Sequence, residues 1–284
     1  MRHVFIACDM NVLDPAMTTI YSLTVHTNPA EYTVTLVVTG TEAEVDRARH
    51  LVAEQFGSSP LTVNVLQALP TFAECRPTVL RITTPTFTRM EMDRYLPMDV
   101  HRVLYVDTDV IFTGDPCELF ELPLNGLFAA VVHDRWTCRE VPTFNAGVMM
   151  VNMDTWRAEH VTDRVLALNL TRQRITDQGI MNMIFSGRCL EVNGVFNFVP
   201  GPAWKITLEE FVRWYMHGRR DVRIMHFAGP DKPWLPESKV NCVYVYRMYQ
   251  QRCVDLKRQH ALLDLYTRWE QSDIVSGDAK CALR

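Results

Sequence analysis

Apolar positions in the first part of the chain fall into short β-branched blocks separated by helix signals. His3–Cys8 is such a block and predicts a strand. Asp14-Pro15 makes a good cap and first-turn pair, opening a helix that runs to about Thr27. Tyr32–Thr39 predicts a second strand. Thr41-x-x-Glu44 is a capping box, and its helix ends near Gly57. Leu61–Leu66 predicts a third strand. The βαβαβ order predicts a mostly parallel sheet, which takes ligands outside the carboxyl ends of its strands.

The pattern continues with a helix at Pro85–Tyr95 and a buried strand at Arg102–Val106. Strands at Leu127–Val132 and Phe144–Val151 follow, with helices near Asp154–Leu168 and Thr176–Phe185. A short strand, Val222–Met225, ends at His226, and a tail from about Val240 to Gln271 reads as helix. There is no clear linker or repeat. One α/β unit over 1–239 with a helical C-terminal extension over 240–284 is the simplest account.

Composition narrows the class. Of 284 residues, 48% are apolar and 22% charged, which excludes disorder, collagen-like repeats and coiled coil. The net charge of −4 argues against nonspecific nucleic-acid binding, which needs a dense basic face. No apolar run approaches the roughly 20 residues of a spanning helix. The apolar stretch before Asp9 is too short for a signal-peptide core, so a cytoplasmic setting is expected. The cysteines at 8, 75, 117, 138, 189, 242, 253 and 281 include no C-x-x-C pair and read as reduced thiols. The sequon Asn169-Leu170-Thr171 falls in a predicted helix and reads as a chance match.

Four segments carry candidate chemistry. After the strand Arg102–Val106 come Asp107-Thr108-Asp109, two carboxylates one residue apart. In extended chain they face the same way, ~6–7 Å apart, and one divalent cation can sit near both; turn or cap aspartates are the alternative. His226 leads into Phe-Ala-Gly229-Pro-Asp-Lys232-Pro-Trp234. An imidazole beside two carboxylates suits Mn²⁺ better than Mg²⁺, while Gly229 admits a pyrophosphate and Lys232 supplies charge to it. A core histidine before a rigid turn would look the same. Phe144-Asn145-Ala146-Gly147 and Asp177-Gln178-Gly179 bring small residues and amides that can read sugar hydroxyls, although Asp177 would also serve as a helix cap.

Together, and in this order, these segments resemble the family-8 glycosyltransferases, the retaining group that contains glycogenin. The resemblance rests on the first strand, D-x-D at Asp107/Asp109, F-N-A-G at 144–147, D-Q-G at 177–179 and H-F-x-G-x-x-K-P-W at 226–234. It implies a GT-A fold: a Rossmann-like mixed α/β sheet flanked by helices. It also implies a UDP-sugar donor, UDP-glucose or UDP-galactose, and Mn²⁺, with Mg²⁺ as second choice, on Asp107, Asp109 and His226. Ala7, Cys8 and Asp9 match uridine contacts, with Cys8 contributing through its backbone. Thr108 lies within the D-x-D. Arg89 matches a contact to donor sugar and phosphate. Asn145, Ala146, Asp177 and Gln178 match the sugar pocket, with Asp134 a further candidate, and Gly229 and Lys232 match the diphosphate contacts.

Asp107, Asp109, Gln178 and Lys232 are then the catalytic candidates. Gln178 is a poor nucleophile, which favours same-face attack. The acceptor implied is a separate carbohydrate or glycoconjugate, because the stretch corresponding to glycogenin's own acceptor, around Phe196–Arg213, has no tyrosine. A homodimer is compatible with all of this. The alternatives are a haloacid-dehalogenase-type phosphatase using the D-x-D and a nucleotide-sugar-binding module without turnover.

Overall fold

A computed structural model describes residues 1–72, 85–134, 143–168, 176–201 and 222–275, with the helix beyond residue 260 given by its backbone alone. The strands are β1 Arg2–Asp9, β2 Tyr32–Thr39, β3 Thr62–Gln67, β4 Arg102–Val106, β5 Val110–Phe112, β6 Ala129–His133, β7 Phe144–Asn152, β8 Cys189–Glu191 and β9 Ile224–His226. The helices are α1 Leu13–His26, α2 Glu42–Phe56, α3 Pro85–Thr88, α4 Met153–Ala158, α5 Val161–Ala167, α6 Asp177–Ile184 and α7 Val243–Val275. None of them is long and apolar enough to cross a membrane.

Seven strands form one mixed sheet in the order β3-β2-β1-β4-β7-β6-β8. The first four are parallel. β7 runs antiparallel between β4 and β6. Both faces are covered, so β1 and β2 are buried through most of their length and not on alternate residues alone. The period-two direction of side chains then divides them. Val4, Ile6 and Cys8 join the core under α1 and α2, while Phe5 and Ala7 join the core that includes Phe87, Trp156 and Met181.

The strand directions create the site. The carboxyl ends of β1 and β4 and the amino end of β7 share one edge, with Val106 paired to Val148. β7 also bulges there. Val131 pairs with Met149 but Val132 pairs with Asn145, so Ala146–Val148 have no partner on β6. β5 and β9 form a separate ribbon that pairs Val110 with His226.

The sheet, the capping box at Thr41 and Glu44, and the helix ending at Gly57 agree with the sequence expectations. Four local readings need correction. Asp14 is inside α1, not its cap; Asp9 instead accepts the N–H of Asn11 and caps a preceding 3₁₀ turn. The helix expected over Pro85–Tyr95 stops at Thr88 and continues as 3₁₀, with Glu91 off helical angles, because Arg89 and Glu91 are drawn into the interior. The helix expected over Asp154–Leu168 is two, broken at His160 with φ 49°. Asp177 is the first residue of α6, and the cap is Thr176, whose hydroxyl accepts the N–H of Gly179. The sequon at Asn169 and most of the stretch around Phe196–Arg213 lie outside the described residues, as do Cys75, Cys138 and Cys281. The described cysteines are all free thiols.

Candidate active site

Asp107 and Asp109 follow β4 directly. The N–H of Asp107 donates to the carbonyl of Gly147 at 2.8 Å, fixing the first aspartate against the β7 bulge. The N–H of Phe227 donates to the carbonyl of Asp109 at 2.9 Å, and ribbon pairing sets His226 beside it. The Thr19 hydroxyl, on α1, reaches the carbonyls of Thr108 and Val110 at 3.1 and 2.7 Å and holds the turn between the carboxylates.

Side chains of Asp107, Asp109 and His226 consequently converge, each offering one ligand atom within 4.8 Å of the others. His226 Nε2 lies 3.3 Å from Asp109 Oδ1 and 3.8 Å from Asp107 Oδ2. Asp109 Oδ1 is buried without a hydrogen-bond partner, although the imidazole is near. An orphaned carboxylate oxygen facing a second carboxylate and an imidazole nitrogen is an incomplete set of hydrogen bonds and a well-formed set of ligands for a divalent cation. Burial pushes the Asp109 carboxyl up, but Lys232 and His226 outweigh it and hold the group ionised well below the usual range.

Lys232 comes to the same carboxylate from the loop after β9 and donates to Asp109 Oδ2. Its loop is tied to the rest of the chain from two sides. The guanidinium of Arg247, on α7, donates to the carbonyls of Pro233, Leu235 and Pro236 at 3.4, 2.9 and 3.1 Å. Phe227 and Trp234 pack on Tyr246, which is fully buried. Tyr249 is buried and Tyr244 exposed.

Arg89 runs beneath the aspartates. Its guanidinium bridges Asp107 at 3.1 Å and Asp177 at 2.8 Å, donates to the Ala146 carbonyl at 2.9 Å and stacks over Tyr105. Burial raises the Asp177 carboxyl despite this partner. Deleting one member of such a buried set leaves uncompensated charge. Arg89→Met is therefore expected to destabilise the fold by about 3–5 kcal/mol, read from urea unfolding; a midpoint unchanged from wild type would contradict it.

Gln178 is held at both ends of its amide. It accepts the Ala146 N–H at 3.3 Å and donates to Asp134 Oδ2 at 3.0 Å. Asn145 lies on the β7 bulge. Gly229 is exposed at φ +107°, a backbone conformation that favours glycine. Cys8 is fully buried in the core, its thiol pushed up to about 12 by burial, so only its backbone is at the strand end. Two further residues take part, Asn197, which no motif marks, and Gly147, the last residue of F-N-A-G. Asn197, buried after a 3₁₀ turn, bonds His226, and Gly147 lies against the metal-ligand cluster.

Comparison with known proteins agrees with this geometry. Residues 3–238 match the model for glycosyl transferase family 8. The glycosyltransferase GlyB of Streptococcus pneumoniae is 34% identical over 139 residues, 47% of this chain and 34% of that protein. Lipopolysaccharide 1,2-glucosyltransferase of Escherichia coli is 24% identical over 57% of this chain and 52% of its own length. The chain thus spans between a third and about half of these relatives. The structure of the galactosyltransferase LgtC, solved with donor and acceptor sugar analogues, superposes with a TM-score of 0.71 at 22% identity, covering 89% of this chain and 96% of that one.

Proposed function

The chain belongs to glycosyl transferase family 8, and from that premise we propose that it transfers a hexose from UDP-glucose or UDP-galactose to a separate carbohydrate or glycoconjugate hydroxyl, with retention. The observation that carries the metal-dependent part is the orphaned Asp109 oxygen between Asp107 and His226. Asp107, Asp109 and His226 would hold Mn²⁺, or Mg²⁺ as the second choice. Such a cation offsets charge on the donor diphosphate and more of it as the glycosidic bond breaks.

The side chains around it have separable tasks. Lys232 gives its ammonium to Asp109 in the free protein and would share it with the leaving diphosphate, where charge grows in the transition state. Arg89 is committed to two carboxylates and a carbonyl, so it holds Asp107 and Asp177 in place beneath the donor. Gln178 is committed at both amide ends, which makes it an orienting group for the sugar and a weak candidate for attack on C1. The same-face route, in which the acceptor hydroxyl enters on the side that UDP leaves, is the reading that needs no protein nucleophile.

A panel of UDP-sugars tests this through UDP release. UDP-glucose or UDP-galactose should be turned over with Mn²⁺, lose turnover in EDTA and regain it when Mn²⁺ is restored. No UDP from any donor would sink the assignment. Intact-mass spectrometry after the same incubation should show the protein without added hexose; growth in steps of one hexose would instead make the chain its own acceptor.

A further inference from the structure

We propose that Asn197 is a positioning residue at the head of an amide relay that fixes which nitrogen of His226 faces the cation and which end of Asn145 faces the donor sugar; the inference rests on the proposed function only for the identity of those ligands.

The polarity of the relay follows from one group that has no alternative. The backbone N–H of Gly147 is a donor whatever the side chains do, and it meets Asn145 Oδ1 at 3.0 Å. The oxygen end of the Asn145 amide is therefore turned toward Gly147. Asn197 approaches the same Oδ1 at 3.0 Å, so the group it presents there is its Nδ2. Its other end, Oδ1, then lies 2.9 Å from His226 Nδ1. An amide oxygen only accepts, so Nδ1 carries a proton. In the neutral ring that leaves Nε2 with its lone pair, and Nε2 is the nitrogen that sits 3.3 Å from Asp109. Reversing any amide would set two oxygens or two NH₂ groups against each other.

Backbone registration makes the relay stiff. The N–H of Phe198 donates to the Ile224 carbonyl at 2.9 Å and the N–H of His226 donates to the Phe198 carbonyl at 2.8 Å, so the residue after Asn197 is laced to β9. Asn197 is 4% exposed and His226 3%, leaving little water to substitute for a lost partner. At the far end, Asn145 Oδ1 is saturated by two N–H donors, so what this residue can offer a sugar is its NH₂. The metal site and the sugar pocket are thereby set by one chain of bonds.

Asn197→Asp and Asn197→Leu divide its two functions. Aspartate still accepts from Nδ1 but cannot donate to Asn145, whereas leucine does neither. Mn²⁺ affinity, measured by calorimetry without donor, should fall about 10- to 100-fold in Asn197→Leu, the usual effect of losing a partner behind a ligating histidine. It should stay within about 3-fold in Asn197→Asp. Both should weaken UDP-sugar binding at saturating Mn²⁺. Independently of any metal, ¹⁵N spectra of the metal-free protein at a pH where the ring is neutral, with His226 assigned through His226→Gln, should show the proton on Nδ1 in the wild type. A proton on Nε2, or Mn²⁺ affinity in a folded Asn197→Leu equal to wild type, would overturn the relay. A wild type that binds no Mn²⁺ but carries the proton on Nδ1 would leave the relay standing and remove the metal reading.

Discussion

Alanine at Gly147 is expected to abolish cation binding and reduce UDP release at least about 100-fold, the scale of losing one electrostatic partner of the transition state. A Cβ there would lie 2.2 Å from His226 Cε1 and 2.7 Å from Asp107 Oδ2, closer than carbon atoms approach anything unbonded. Neither side can retreat cheaply. The Gly147 carbonyl accepts the Asp107 N–H, so moving β7 drags the aspartate, and His226 is laced into the β5–β9 ribbon. The smallest possible substitution thus acts directly on two of the three candidate ligands. Mn²⁺ calorimetry beside far-ultraviolet circular dichroism tests it. A folded Gly147→Ala that binds Mn²⁺ within about 2-fold of wild type would mean that the ligand cluster is not the cation site.

Asp109→Asn should be nearly as severe in turnover and mild in stability. The amide keeps the shape of the side chain but removes the charge that His226 and Lys232 face, and UDP release is expected to fall about 1000-fold. Lys232 keeps 29% of its side chain exposed, so water can replace the lost partner and the melting temperature should move by only a few degrees. Measuring both quantities on the same preparation separates chemistry from folding. Equal and negligible UDP release in mutant and wild type would identify a module that binds a nucleotide sugar without turning it over.

What could be read from the sequence depended on the range of the interactions involved. The capping box is complete within four residues, Thr41 to Glu44, and it forms as expected. The parallel half of the sheet follows from short β-branched blocks, buried through most of β1 and β2 and alternating on the edge strand β3. Arg89 is different. Its pattern suits a continuing helix, and the helix breaks because Asp107 and Asp177, far along the chain, take its guanidinium. β5 and β8 are three residues each, too short for any periodicity, yet β5 is what sets His226 beside Asp109. Asp107, Asp109, His226 and Lys232, which motif order singled out, lie together in the structure. Motif order could not expose Asn197, whose meaning depends on the register of Phe198 against β9, nor the reason for Gly147, which is a side chain arriving from across the fold.

The bonds from Arg247 to the lysine loop bear on how such a chain can be recombined. The loop and α7 lie on opposite sides of the border drawn at residue 239, yet three carbonyls of the loop take their donors from one residue of the helix. A chimera that received its C-terminus from a relative would therefore receive new anchorage for Lys232, the lysine proposed to meet the donor diphosphate. Grafts that kept residues 227–260 together would carry the anchorage with them, whereas a junction at the apparent boundary would separate the lysine from what holds it.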